Sequence, residues 1–241
     1  MSYLDRKELY DDIVFDYMAI KSNIFKSKHE GPAFWKALGN VIGHDVLDLA
    51  SGSGYYSRKI KQHGASKVVG VDISKEMIAE AKEGESSCPL DIEYHVADAA
   101  KYVHGHGFDI VTAQYLFCYA DSKEKLLSFC NTAFKNTKPG GRLVTVSTVL
   151  DEKCQQENKS LGFKFVPSVG TDSDTRLLYD GVKVNVSLYS EDFKSHCTFP
   201  NYLWSFETIR SQLNACGFTS VQGQPVLSGF PIMIIIARRE G

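Results

Sequence analysis

Asp45-Val-Leu-Asp-Leu-Ala-Ser-Gly-Ser-Gly-Tyr55 is the stretch that decides the fold. An apolar run, broken only by Asp48, gives way at once to a turn holding Gly52 and Gly54. Strands that are covered on both faces read in this way. The glycines let the backbone turn tightly and approach a ligand where a Cβ would obstruct it. A helical stretch from Tyr55 to His63 follows, so the unit reads as strand, glycine turn, helix.

Outward from this unit the same rhythm repeats. Lys67 to Asp72 reads as a second strand, and Ser74 to Lys82 as a helix with Ser74 at its N-cap. Ile92 to Ala97 and Phe108 to Ala113 are further strands, a helix covers Lys123 to Asn136, and Gly141 to Val149 is the fifth strand. Near the end, Ser205 to Cys216 reads as a helix closed by Gly217, followed by strands near Thr219 to Val226 and Pro231 to Arg238. The pattern predicts one doubly wound α/β domain over residues 1–241, a seven-stranded sheet with helices on both faces. Two segments stand outside the alternation. Residues 1–40 form an N-terminal helical cap, with Tyr10, Ile13, Tyr17, Ile20 and Ile24 at helical spacing over Leu4 to Phe25. Residues 150–204 form an insertion after the fifth strand, rich in aromatics, within which Val182 to Tyr189 alternates like a half-exposed strand.

Composition narrows the function classes. The chain has 241 residues, 43% hydrophobic and 23% charged, enough to bury a sizeable core. Its net charge of -2 lacks the basic footprint of a nucleic-acid binder. Six cysteines without a CxxC pair or regular spacing suit free thiols better than a zinc site or disulfide framework. A polar N-terminus and a longest C-terminal apolar run of only Ile232 to Ala237 predict neither a secretory leader nor a membrane span, hence a cytoplasmic protein. His104 and His106 lack a third ligand and read as a solvated loop rather than a metal site, and His196 in the insertion reads first as a surface imidazole, with a base as the alternative.

In an open α/β sheet, ligands bind beyond the carboxyl ends of the strands, where strand order reverses. Asp48 lies at the end of the first strand, where a carboxylate could hold an ammonium group directly or through water. Asp72 ends the second, where it could accept both hydroxyls of a ribose. Asp98 follows the third, where an adenine amino group would lie. One such acid alone is ordinarily a cap or a solvated side chain. Three at successive strand ends on one edge read as a ligand site.

These residues carry a family resemblance. Val46-Leu-Asp-Leu-Ala-Ser-Gly-Ser-Gly54 resembles the first motif of class I S-adenosylmethionine-dependent methyltransferases. Val71-Asp72 resembles the second motif, Ala97-Asp98-Ala99 the third, and Lys138-Pro-Gly-Gly-Arg-Leu143 the approach to the fifth strand. The resemblance covers roughly residues 40–150 and implies a Rossmann-like sheet, S-adenosylmethionine as cofactor and S-adenosylhomocysteine as product. Position by position, it implies that Asp48, Ala50, Gly52 and Gly54 line the amino-acid part of the cofactor. Asp72 would bind the ribose, with Ile73 and Met77 among the cofactor contacts, and Asp98 and Ala99 would face the adenine. Ala50 departs from the family's usual glycine.

Three further segments, Tyr10 to Tyr17, Tyr115 to Ala120 and Phe199 to Trp204, are similar to the toxoflavin-biosynthesis methyltransferase group, whose members N-methylate a small heteroaromatic ring. That resemblance implies that Tyr10 and Tyr17 cover the methionine end of the cofactor and that Gln114 and Tyr115 lie near the transferred methyl. Tyr17, Gln114 and Tyr115 are then the positioning candidates, with no evident general base and no metal. Tyr119, Phe165, Tyr202 and Trp204 would line the substrate side, and plain packing is the alternative for these aromatics and for Tyr10 and Tyr17. The expected reaction is methyl transfer to a heteroatom, nitrogen first, of a small heteroaromatic molecule. O- or S-methylation of a small metabolite, or silent binding of S-adenosylmethionine, are the alternatives. A nicotinamide-dependent dehydrogenase would want a third glycine where Ser57 stands. A macromolecular substrate would want a basic or extended groove. Oligomeric state stays open.

Overall fold

Val46, Val68, Ile110 and Val144 enter one hydrophobic cluster, whereas their neighbours Leu47, Val69, Val111 and Leu143 enter another. That alternation with period two is what a sheet buried on both faces requires. The computed structural model describes residues 25–151, 163–167, 179–190 and 196–241. Five parallel strands come first: β1 (Asp45–Leu49), β2 (Lys67–Asp72), β3 (Ile92–Val96), β4 (Phe108–Thr112) and β5 (Thr137–Thr148). Three more, β6 (Phe163–Pro167), β7 (Val182–Tyr189) and β8 (His196–Leu203), form a separate antiparallel sheet in the order β6-β7-β8. β9 (Thr219–Pro225) and β10 (Ile232–Arg238) complete the main sheet, whose order is β3-β2-β1-β4-β5-β10-β9.

The order reverses between β1 and β4, so their carboxyl ends open a crevice. The seven-stranded α/β sheet expected from sequence is present. It is mixed rather than wholly parallel, because β10 runs antiparallel between β5 and β9.

Among the described residues five α-helices flank it: α1 (Gly31–Leu38), α2 (Tyr55–Gln62), α3 (Lys75–Ser87), α4 (Lys123–Asn136) and α5 (Phe206–Cys216). α1, α2 and α3 bury Phe34, Leu38, Ile60, Ile78 and Ala81 on one face. α4 and α5 bury Leu126, Phe129, Ile209 and Leu213 on the other. The expected boundaries have their physical causes in place. Ser74 caps α3 by accepting from the Met77 N–H, and Gly217 ends α5 in the left-handed conformation.

The insertion after β5 contributes the small sheet. Val182, Val184 and Val186 of β7 and Phe199 and Leu203 of β8 share a cluster with Phe34, Val146 and Ile234. Leu150 N–H donates to the Trp204 carbonyl at 2.9 Å, and the Trp204 indole N–H donates to the Ala120 carbonyl at 3.0 Å. The small sheet is thus anchored to the segment after β5 and to the loop after β4. The one or two helices expected over Leu4 to Phe25 lie outside the described residues except for Phe25, which is buried against Phe230 with ring centroids 4.8 Å apart. Among the described residues no helix is long and apolar enough to cross a membrane, no trio of His, Cys, Asp and Glu is placed to hold a metal, and the cysteines are free thiols.

Candidate active site

Leaving β1, the chain turns through three left-handed residues, Ala50 (φ 59°), Gly52 (φ 54°) and Gly54 (φ 80°). The alanine costs about 1–2 kcal/mol in this conformation, where a glycine would cost nothing. This is the physical reason that position 50 favours glycine. Backbone strain of this kind collects at functional sites. The two glycines serve different ends. A Cβ on Gly54 would lie 2.3 Å from the Tyr94 hydroxyl, so a side chain there would force that ring, which packs the turn against β3, to shift. The same ring lies over Gly70 of β2, where a Cβ would come within 2.6 Å of it. Burial pushes the Tyr94 phenol well above its ordinary range, and the nearby Asp48 charge adds to the effect.

Parallel pairing sets the carboxylates side by side, with Asp48 opposite Gly70 and Thr112, and Asp72 opposite Val96. Asp48 is 1% exposed and accepts from the Ser57 hydroxyl at 2.6 Å and the Thr112 hydroxyl at 2.9 Å. Ser57, where a dinucleotide fingerprint would have glycine, therefore serves to hold Asp48. Asp72 accepts from Gly52 N–H at 2.8 Å through one oxygen and from Ser74 N–H at 3.0 Å through the other. It ties the glycine turn to β2. Asp98 accepts from Ala100 N–H at 2.8 Å and faces the Lys125 ammonium at 3.7 Å. Burial pulls the Lys125 pKa down, against the opposing pull of Asp98.

At the end of β4 the side chain of Gln114 substitutes for a strand residue. Its Oε1 accepts from Val146 N–H at 3.2 Å, and Tyr115 N–H then donates to the Val146 carbonyl at 2.7 Å. Tyr115 turns out of the sheet with φ 58°. Its hydroxyl donates to Glu30 Oε2, and the Tyr56 hydroxyl donates to Glu30 Oε1 at 2.6 Å. Sequence reading missed Glu30, which is 1% exposed. It lies 26 residues from Tyr56 and 85 from Tyr115, so no local pattern announces it. Two buried polar atoms at this edge, Ser51 Oγ and Gln114 Nε2, find no hydrogen-bond partner among the described residues. An unsatisfied buried group costs about 1–3 kcal/mol, which a ligand's polar atom would recover.

The other expected site residues are distributed as follows. Ile73 follows β2 half-buried, Met77 is buried in the first turn of α3, and Ala99 is buried after β3. Tyr119 is half-buried in a 3-10 turn, Phe117–Tyr119. Tyr202 and Trp204 are buried in the cluster that holds Leu116, Phe117 and Ala120. Trp204 spends its indole N–H on Ala120, so both residues pack the small sheet onto the loop after β4. Phe165 and His196 lie in β6 and β8, their side chains outside the described set; Tyr10 and Tyr17 lie outside the described residues altogether. His104 and His106 remain in the loop before β4, where His106 N–H donates to His104 Nδ1 at 3.2 Å.

Residues 46–141, which hold the crevice, its glycine turn and its row of carboxylates, match the family described as Methyltransferase domain. The chain is 27% identical over 127 residues to the putative protein N5-glutamine methyltransferase of Methanocaldococcus jannaschii, covering 53% of this chain and 64% of that one. It is 32% identical over 102 residues to the ubiquinone biosynthesis O-methyltransferase of Coxiella burnetii, covering 42% of each. The chain therefore spans less than two thirds of either curated relative. Its fold is similar along nearly its whole length to an S-adenosylmethionine-dependent methyltransferase from Clostridium acetobutylicum, with a TM-score of 0.66, 17% identity and 99% of each chain covered.

Proposed function

We propose that this chain transfers a methyl group from S-adenosylmethionine to a heteroatom, nitrogen first, of a small heteroaromatic molecule. The observation that carries the reading is the row Asp48, Asp72 and Asp98 at successive strand ends around the left-handed Ala50 to Gly54 turn. The orphaned Ser51 Oγ and Gln114 Nε2 on the same edge support it, since a bound cofactor or acceptor would supply their partners. The two curated relatives carry different acceptors in their names, glutamine nitrogen in one and oxygen in the other, so the preference for a heteroaromatic nitrogen rests on the sequence resemblance.

When bound, the cofactor supplies an electrophilic methyl on a sulfonium. The protein's share is alignment and exclusion of water. Asp72 accepts the ribose hydroxyls while its other lone pairs hold Gly52 and Ser74. Asp48, immobilised by Ser57 and Thr112, offers a fixed negative charge to the cofactor's ammonium. Gln114 presents its free N–H beyond β4. A neutral heteroaromatic nitrogen attacks with its own lone pair, which fits a site without an evident general base.

The test is release of S-adenosylhomocysteine from S-adenosylmethionine in the presence of imidazole, quinoline and nicotinamide, against simple phenols and thiols. Turnover with the nitrogen bases alone is the expected result. Turnover confined to phenols or thiols would keep the methyl-transfer reading and overturn its nitrogen preference.

A further inference from the structure

Glu30 is buried, yet it belongs to none of the cofactor positions. It ends a short π-helical turn, Lys26–Glu30, immediately ahead of α1. A buried carboxylate is costly unless several hydrogen bonds hold its charge. Two of its donors come from elements that border the candidate site. Tyr56 stands two residues beyond Gly54 on α2, and Tyr115 stands in the turn that leaves β4. Tyr115 is also one of the few non-glycine residues with a left-handed backbone, a conformation that persists only when its surroundings hold it. Its backbone N–H is fixed by Val146 and its hydroxyl by Glu30, so both ends of the residue are tied.

We infer that Glu30 is a positioning residue for methyl transfer, holding Tyr115 as a rigid wall on the acceptor side of the site. The inference rests on the methyltransferase reading above. Glu30 acts through Tyr115 and touches none of the three cofactor carboxylates in the contacts described, so its removal should disturb acceptor alignment more than cofactor affinity.

The experiment compares Glu30→Gln, Tyr115→Phe and their combination, with Glu30→Ala as the harsher variant. S-adenosylhomocysteine affinity by calorimetry should stay within about twofold in Glu30→Gln, as should KM for S-adenosylmethionine. Turnover with the fastest acceptor among imidazole, quinoline and nicotinamide should fall about tenfold or more in either single variant. The double variant should be no slower than Glu30→Gln alone, because that change already breaks the Glu30–Tyr115 contact. In a separate readout, 3-fluorotyrosine placed at position 115 should change its fluorine signal in Glu30→Gln with no acceptor present. Undiminished turnover in Glu30→Gln, multiplying losses in the double variant, or an unmoved fluorine signal would overturn the inference. If the wild-type protein methylates none of the three bases, the nitrogen reading fails, and the fluorine signal alone then decides whether Glu30 holds Tyr115.

Discussion

At the scale of single residues, one side chain that holds the turn is also the one proposed to hold the ligand. Asp72 is expected to bind a ribose, yet it also satisfies Gly52 N–H and Ser74 N–H. Asp72→Ala should therefore weaken S-adenosylhomocysteine binding by about 2–4 kcal/mol and also lower the melting temperature of the ligand-free protein. Asp72→Asn, which keeps one oxygen for the turn, should lose affinity with a smaller thermal penalty. Calorimetry beside a thermal melt of both variants separates the two effects. Equal affinity in folded Asp72→Ala would remove the ribose from this position. Gly54 gives a second case, because its Cβ-free space is filled by the Tyr94 hydroxyl. Gly54→Ala should destabilise by about 1–3 kcal/mol through left-handed strain and this overlap. Adding Tyr94→Phe removes the nearest atom and should restore part of the loss. No recovery in the double variant would show that the hydroxyl contributes nothing to the cost, leaving it to backbone strain and the ring carbons.

Elements differ in how plainly the sequence announces them. β1, the glycine turn and α2 are legible because an apolar run ends abruptly in glycines that the backbone needs, two of them at positive φ. Ser74 and Gly217 mark helix ends by capping chemistry that is local in sequence. β8 is not legible, since Pro200 stands in its middle and proline argues against a strand. The structure accommodates it because β8 is an edge of the small sheet. Glu30 is hidden for a different reason: its role exists only once α2 and the β4 turn are folded around it. Far from the crevice, the amino ends of β1 and β4 are joined by Lys138, whose ammonium lies 3.1 Å from Asp109 and 3.2 Å from Asp45. Burial alone would raise the Asp109 pKa, but Asp45 N–H and Lys138 bring it below the ordinary carboxylate range. A depressed carboxylate contributes stability that is present above its unfolded pKa and lost as pH falls through the folded one. Lys138→Met should thus lower the melting temperature near neutral pH, by a modest amount because the pair is partly solvated. The gap to the wild-type protein should close below the ordinary carboxylate range. A gap that ignores pH would mean that the lysine acts through packing of its methylene chain.

At the scale of the molecule, two hydrophobic clusters of the described residues lie on the two faces of the main sheet, whose strand order reverses between β1 and β4. Asp48, Ala50, Gly52, Asp72 and Asp98 collect at that reversal because parallel register brings successive strand ends level. The small sheet and the turn holding Glu30 add material to the same molecule without interrupting the row of carboxylates. A nicotinamide-binding protein shares the sheet and an acid at the end of β2. Here, however, Ser57 replaces the fingerprint's third glycine and is committed to Asp48. The two readings part on one titration. Calorimetry of the wild-type protein should show saturable one-to-one binding of S-adenosylhomocysteine and no heat from NAD at the same concentrations. Binding of NAD with none of S-adenosylhomocysteine, by protein shown to be folded, would contradict the assignment of this crevice to S-adenosylmethionine.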